Sequence, residues 1–182
     1  MNSSNSFKLI IDLEATCSQD GSVPRDEMEI IEIGAVMQNE QTLVIESEFQ
    51  IFIRPTRHPI LTPFCKELTG IKQEDVSDAL PFPSALEKMR QWMSAFPNSL
   101  FCSWGNYDRN QFGQDCAHHN VPYPFGPDHL NLKAEFADAF NLRKPIGISG
   151  ALKHFGLKFQ GSPHRGLDDA RNIAAIVQRM SA

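Results

Sequence analysis

Two acidic side chains, Asp12 and Glu14, stand at alternate positions near the end of an apolar run that begins at Phe7. The run is too short for a helix and is rich in Ile and Leu, so residues 7–17 are predicted to form a strand. Because side chains alternate across a strand, both carboxylates lie on one face, with Cα atoms about 7 Å apart. Such a pair can share hard cations, whereas a lone acid at a strand end is usually a solvated surface residue.

Three more candidate residues follow along the chain. Asp108 comes just after a predicted strand at 100–104, and ligands bind beyond the carboxyl ends of strands in open α/β sheets. A helix N-cap is the alternative for Asp108. His164 and Asp169 open the last predicted helix. Carboxylate oxygens are ligands that magnesium and manganese prefer. Several carboxylates that surround two such ions, with a neutral base nearby, are suited to in-line hydrolysis of a phosphodiester.

Composition sets the protein class. The chain has 182 residues, of which 41% are hydrophobic and 21% charged, and this predicts one globular domain at 7–182 behind a flexible N-terminal tail at 1–6. No run approaches the 18 or so apolar residues of a membrane span. The net charge of −5 argues against a broad basic surface for nucleic acid. It does not exclude an acidic site that recruits cations and so attracts phosphate.

The N-terminal segment has neither the basic region nor the apolar stretch of a signal peptide, so a cytoplasmic protein is expected. The cysteines are too widely spaced for a zinc ribbon or a disulfide framework and are predicted to be buried thiols: Cys17, Cys65, Cys102 and Cys116. Zinc binding by Cys116, His118 and His119 is a weaker alternative, because adjacent histidines on a helix point in different directions.

The remaining elements are predicted from periodicity and end signals. Strands at 28–37 and 43–53 continue an antiparallel meander from the first strand, and a short strand is predicted at 129–132. Helices are predicted in six places, with Thr62 as the N-cap of the first, Gly70 as its stop and a capping box that starts at Ser84 in the second. Their predicted ranges are 62–71, 84–96, 108–119, 133–142, 149–155 and 164–180.

The ordered motifs resemble those of the DEDD exonucleases, in the branch that has a histidine in the last motif. Asp12-Leu13-Glu14 matches the first motif, and His164 is followed five residues later by Asp169. The chain is most similar to the exoribonuclease-1-like subgroup (Eri-1, prion interactor) in the sequences of four segments: 12–17, 68–71, 103–108 and 164–170. The resemblance covers about residues 7–180.

This resemblance implies an α/β, ribonuclease H-like fold with a five-stranded mixed sheet flanked by helices. It also implies that four acids bind two Mg²⁺ ions, which Mn²⁺ can replace, and that His164 is the general base. The implied metal ligands, also counted as catalytic, are Asp12, Glu14, Asp108 and Asp169. Asp168 competes for the last position, but the five-residue interval selects Asp169. Gly166 stands where many other branches have Ala, a departure that is typical of the subgroup.

The activity implied is 3′-to-5′ hydrolysis of single-stranded RNA or DNA ends to nucleoside 5′-monophosphates, with RNA favoured by the subgroup. Eight residues are implied to contact the substrate: Ala15, Thr16, Leu68, Thr69, Ile71, Gly105, Asn106 and Arg165. A DNA-directed proofreading-type exonuclease and a catalytically silent nucleic-acid-binding module are the alternatives. The motifs leave the physiological substrate, the protein partners and the oligomeric state open.

Overall fold

A computed structural model describes residues 6–181. In this part of the chain six strands form one sheet in the order β4-β3-β2-β1-β5-β6. The strands are β1 (Phe7–Ala15), β2 (Ile30–Asn39), β3 (Ile45–Arg54), β4 (Leu80–Pro81), β5 (Ser99–Ser103) and β6 (His129–Asn131). Strands β1, β2 and β3 form the predicted antiparallel meander, whereas β5 runs parallel to β1 and β6 runs parallel to β5.

Seven helices lie among these strands in the described residues. They are α1 (Pro63–Thr69), α2 (Gln73–Ser77), α3 (Phe82–Met93), α4 (Tyr107–His118), α5 (Leu132–Ala139), α6 (Ile148–His154) and α7 (Gly166–Met180). Thr62 caps α1 as predicted, since its hydroxyl accepts a 3.0 Å hydrogen bond from the Cys65 amide, and Gly70 ends the helix with a φ of 68°. None of these helices has the length and apolarity needed to cross a membrane.

Strand β1 lies between β2 and β5, and both of its faces are covered by helices. Leu9 and Ile11 pack into one cluster with α3 and α4, while Ile10 packs into another with α7. Strands buried on both faces read as continuous apolar runs, which is how residues 9–11 appear in the sequence. The end of β1 therefore lies between α4 and α7, and both helices bring acidic residues to it.

The predicted α/β class is confirmed, but the predicted number of five strands is wrong. The additional strand, β4, has two residues that pair with Ile53 and Arg54 at the edge of the sheet. Two residues carry no alternation that a sequence pattern could reveal.

The predicted capping box at Ser84 is also wrong. Helix α3 begins two residues earlier, at Phe82, with Pro81 at the N-cap position and Phe82 fully buried. Burial of Phe82 and the pairing of β4 outweigh the local capping preference. The helix also ends at Met93 rather than at residue 96.

The N-terminal segment and the cysteines were also predicted from the sequence. The predicted N-terminal tail lies outside the described residues except for Ser6, whose amide donates to the Asn98 carbonyl. All four cysteines are free, as predicted; Cys65, Cys102 and Cys116 are buried, and Cys17 is only half-buried.

Candidate active site

Three of the predicted acids converge at the end of β1. Carboxylate oxygens of Asp12, Glu14 and Asp169 all lie within 4.8 Å of one another. Asp12 and Glu14 share a face of the strand, as the alternation predicts, and Asp169 reaches them from the first turn of α7. The structure thus brings together side chains that are more than 150 positions apart in the sequence.

Asp108 joins the same site by a different route. It is buried in the first turn of α4, where its Oδ1 accepts a 3.1 Å hydrogen bond from the backbone amide of Leu13, between Asp12 and Glu14. The N-cap position of α4 belongs to Asn106, so the alternative that Asp108 is the cap is wrong. Its side chain lines the cavity that also holds the other three carboxylates.

This cavity has a volume of about 470 Å³, and His164 lies at its rim. His164 is exposed and has a φ of 60°, a left-handed backbone conformation that costs about 1–3 kcal/mol in a non-glycine residue. Such strain persists only where the surrounding structure fixes it, and it is concentrated at functional sites. His164 and Asp169 are therefore set at the cavity by one turn, residues 163–165, and the helix that follows.

Adjacent acids in the last motif have separate roles. The Oδ2 atom of Asp168 accepts a 2.9 Å hydrogen bond from the Ser162 amide, and its Oδ1 pairs with Arg171 at 3.1 Å. Asp169 instead points into the acid cluster, and its carboxylate accepts a 3.2 Å hydrogen bond from the Arg165 amide. The five-residue interval from His164 therefore selects the acid that the structure places in the site.

The acids are protonated more readily than free carboxyl groups. Burial, followed by repulsion from Asp169, raises the pKa of Glu14 to about 8. Burial also raises the pKa of Asp108 to about 7 and that of Asp169 to about 6. Burial, then the charge of Asp108, raises the pKa of Asp12. Burial is the largest cause for each group, and repulsion from a neighbouring carboxylate adds to it in all four.

The donor set fits divalent cations. It consists of carboxylate oxygens from four acids, the ligand type that magnesium and manganese prefer. Cations bound between these carboxylates would relieve the repulsion that raises their pKa values. The four acids predicted as ligands thus lie together at one cavity, where they could hold a metal ion.

The residues predicted to contact substrate are in different positions relative to the cavity. Ala15 and Leu68 line it. Three others are buried: Thr16, Thr69 and Ile71. The Thr16 hydroxyl accepts a hydrogen bond from the Glu29 amide, and the Thr69 hydroxyl donates one to the Cys65 carbonyl. Gly105 and Asn106 lie in the turn before α4, and Arg165 pairs with Glu32. A substrate role for the buried residues would have to use their backbone.

Sequence reasoning missed much of the cavity wall. Additional lining side chains come from the turn before α4, the starts of α4 and α6, and the loop before α7: Trp104, Tyr107, Ile148, Phe159 and Pro163. Trp104 and Tyr107 flank the predicted contacts Gly105 and Asn106 in the sequence, and this was the available signal. Phe159 is in a segment without any motif.

A second group of potential metal ligands lies outside this cavity. Ligand atoms of His118, His119 and Glu29 come within 4.8 Å of one another, although the two histidines are adjacent. Cys116, the third member of the zinc alternative, is not in the group. The Glu29 carboxylate already accepts hydrogen bonds from the backbone amides of residues 56–58, so its oxygens are engaged in the fold.

Comparison with known proteins decides the family. The family model described as Exonuclease (RNase_T) matches residues 9–177. The chain belongs to this exonuclease family. Human ERI1 exoribonuclease 2 is 34% identical over 196 residues, covering 96% of this chain and 28% of that protein. Human 3′-5′ exoribonuclease 1 is 36% identical over 180 residues, covering 94% of this chain and 51% of that protein.

Solved structures of the family show the same fold. The nuclease domain of 3′hExo, described as a DEDDh family member bound to rAMP, superimposes with a TM-score of 0.90 and 33% identity. The match covers 100% of this exonuclease chain and 94% of that chain. The predicted subgroup and fold are confirmed. The chain nevertheless spans only about a quarter to a half of the length of the two human relatives.

Proposed function

We propose that this exonuclease-family protein removes nucleotides from the 3′ end of single-stranded nucleic acid and releases nucleoside 5′-monophosphates. The observation that carries the proposal is the convergence of Asp12, Glu14 and Asp169 within 4.8 Å, beside Asp108, in a cavity with His164 at its rim. Fold alone does not establish activity, whereas this set of side chains is suited to phosphodiester hydrolysis.

The four acids would hold two divalent cations, which we propose to be Mg²⁺, with Mn²⁺ able to replace them. Bound cations would supply water activation and charge stabilisation of the departing 3′ oxygen. His164 would accept the proton of the attacking water, because histidine is the side chain that most often serves as a general base in enzymes. The exposed position of His164 allows it to pass this proton on to solvent.

We propose RNA as the preferred substrate. Support comes from the two human relatives, which are named exoribonucleases, and from the rAMP bound to the 3′hExo nuclease domain. The terminal nucleotide would lie against Ala15 and Leu68, which line the cavity. Stacking and backbone contacts of this kind bind single strands with little sequence preference. A cytoplasmic location remains a prediction.

The test is digestion of matched RNA and DNA strands labelled at the 5′ end, in Mg²⁺, Mn²⁺ or EDTA. We expect a ladder that shortens from the 3′ end, faster for RNA, that requires a cation and is absent with Asp12→Asn. Faster digestion of DNA would support the proofreading-type alternative. Retarded mobility of intact RNA, without digestion by the folded protein in either metal, would support a binding module and overturn the proposal.

A further inference from the structure

A fifth acid, in addition to the four proposed metal ligands, lies next to the three-acid cluster but takes no part in it. Glu32, in β2, is fully buried and pairs directly with Glu14 across the β1–β2 ladder. Residues directly opposite in a ladder project on the same face, so Glu32 is on the face that carries the acid cluster. A buried carboxylate requires charged or hydrogen-bonding partners, because an unpaired one is strongly destabilising.

The partners of Glu32 come from the segment that follows His164. Its Oε2 accepts hydrogen bonds from Arg165 Nε at 3.2 Å and from the Gly166 amide at 3.3 Å. Its Oε1 accepts from the Gln50 side-chain amide at 2.5 Å. Glu32 thus links the middle of the sheet to the two residues after the predicted base.

Arg165 is held on a second side as well. Its guanidinium carbon lies 5.4 Å from the centre of the Phe52 ring, and 28% of its side chain is exposed. Contacts of a guanidinium with an aromatic face and with a carboxylate are both favourable. Its backbone is also fixed, because its amide donates to Asp169 and its carbonyl accepts from the Asp169 amide.

These contacts of Arg165 lie next to a strained residue. His164 has the left-handed φ of 60°, and the residue beside it is tied to Glu32, Phe52 and Asp169. We infer that Glu32 and Arg165 are positioning residues, which hold the His164 turn over the acid cluster. This inference rests on the proposed role of His164 and gives Arg165 an internal function in place of the predicted substrate contact.

The test uses Arg165→Met and the double variant Glu32→Gln/Arg165→Met, which leaves no buried unpaired charge. Arg171→Met is the matched control, since Arg171 is in α7, the helix that Arg165 precedes, and pairs with Glu48 at the surface. We expect kcat on single-stranded RNA to fall about 10- to 100-fold in both Arg165 variants, with little change in KM, because small displacements of a reacting group are costly. In the His164→Ala background, Arg165→Met should lower kcat less than about 2-fold.

Hydrogen exchange provides a readout that does not depend on activity. We expect faster amide exchange in residues 162–167 of Arg165→Met and unchanged exchange in Arg171→Met. A raised KM at unchanged kcat in Arg165→Met would instead make Arg165 a substrate contact and overturn the inference. A 10- to 100-fold further loss of kcat when Arg165→Met is added to His164→Ala would overturn it too. If the wild-type protein lacks nuclease activity, the proposed function fails; unchanged exchange in 162–167 overturns the positioning role separately.

Discussion

Gly34 in β2 and Gly166 at the start of α7 pack backbone against backbone. A Cβ atom added to Gly34 would lie 1.9 Å from the carbonyl carbon of Gly166. A Cβ atom added to Gly166 would lie 2.8 Å from the Asp12 carbonyl oxygen and 2.9 Å from the Gly34 amide nitrogen. This close approach of helix and sheet brings Asp169 to the end of β1. It also leaves no room for a side chain at Gly166.

Gly166→Ala should therefore weaken both stability and activity. The added methyl group must push α7 away from backbone atoms, at a typical cost of about 1–3 kcal/mol for overpacking. Denaturant unfolding and RNA digestion would measure the two effects. Gly113→Ala is the control, because Gly113 is exposed in α4 and an added Cβ has no atom within 4 Å. It should stabilise the protein by up to about 1 kcal/mol; equal destabilisation by both variants would refute the packing argument.

Stability without cations should fall as the pH rises. The folded-state pKa values of Glu14, Asp108 and Asp169 are about 8, 7 and 6, all above those of unfolded carboxyls near 4. Their contribution is therefore complete below pH 4 and is lost as the pH rises through 6 to 8, since the folded state binds these protons more tightly. In EDTA, we expect Asp12→Asn to melt at a higher temperature than the wild type at pH 8, with a smaller difference at pH 5. A lower melting temperature for the variant at pH 8 would contradict this.

Divalent cations should reverse this destabilisation. A ligand that binds only the folded state at 100-fold above its Kd stabilises by about 2.7 kcal/mol. Thermal unfolding of the wild type should therefore shift upward on addition of Mg²⁺ or Mn²⁺, and the shift should be smaller in Asp12→Asn. Equal shifts in both proteins would place the cation elsewhere, and the cluster of Glu29, His118 and His119 would then be examined with Glu29→Gln.

Replacement of His164 should separate catalysis from cation binding. His164→Ala removes the proposed base, and losing such a group typically lowers the rate by about 10²–10⁴. Because the side chain is exposed and is not among the clustered carboxylates, the fold and the Mg²⁺-induced thermal shift should remain. Single-turnover RNA digestion measures the rate. Turnover near that of the wild type would remove His164 from the mechanism.

The acids of the candidate site were predictable because each belongs to a local pattern. Alternation along β1 puts Asp12 and Glu14 on one face, and the position after β5 indicates Asp108. Glu32 was not predictable, because its partner Arg165 is 133 positions away and nothing local distinguishes a buried acid from an exposed one. The start of α3 was missed for a similar reason, since it depends on burial of Phe82 and on the pairing of β4.

The acid cluster at the end of β1 is the catalytic centre that we propose. Its most direct test compares Mg²⁺-dependent RNA hydrolysis by Asp169→Asn and Asp168→Asn, which alter neighbouring acids in the same helical turn. Asp169 is in the cluster, whereas Asp168 accepts a hydrogen bond from the Ser162 amide and forms an ion pair with Arg171. We predict that Asp169→Asn loses nearly all activity, whereas Asp168→Asn stays within about 10-fold of the wild type, given the modest cost of exposed ion pairs. Full activity in Asp169→Asn would contradict the claim.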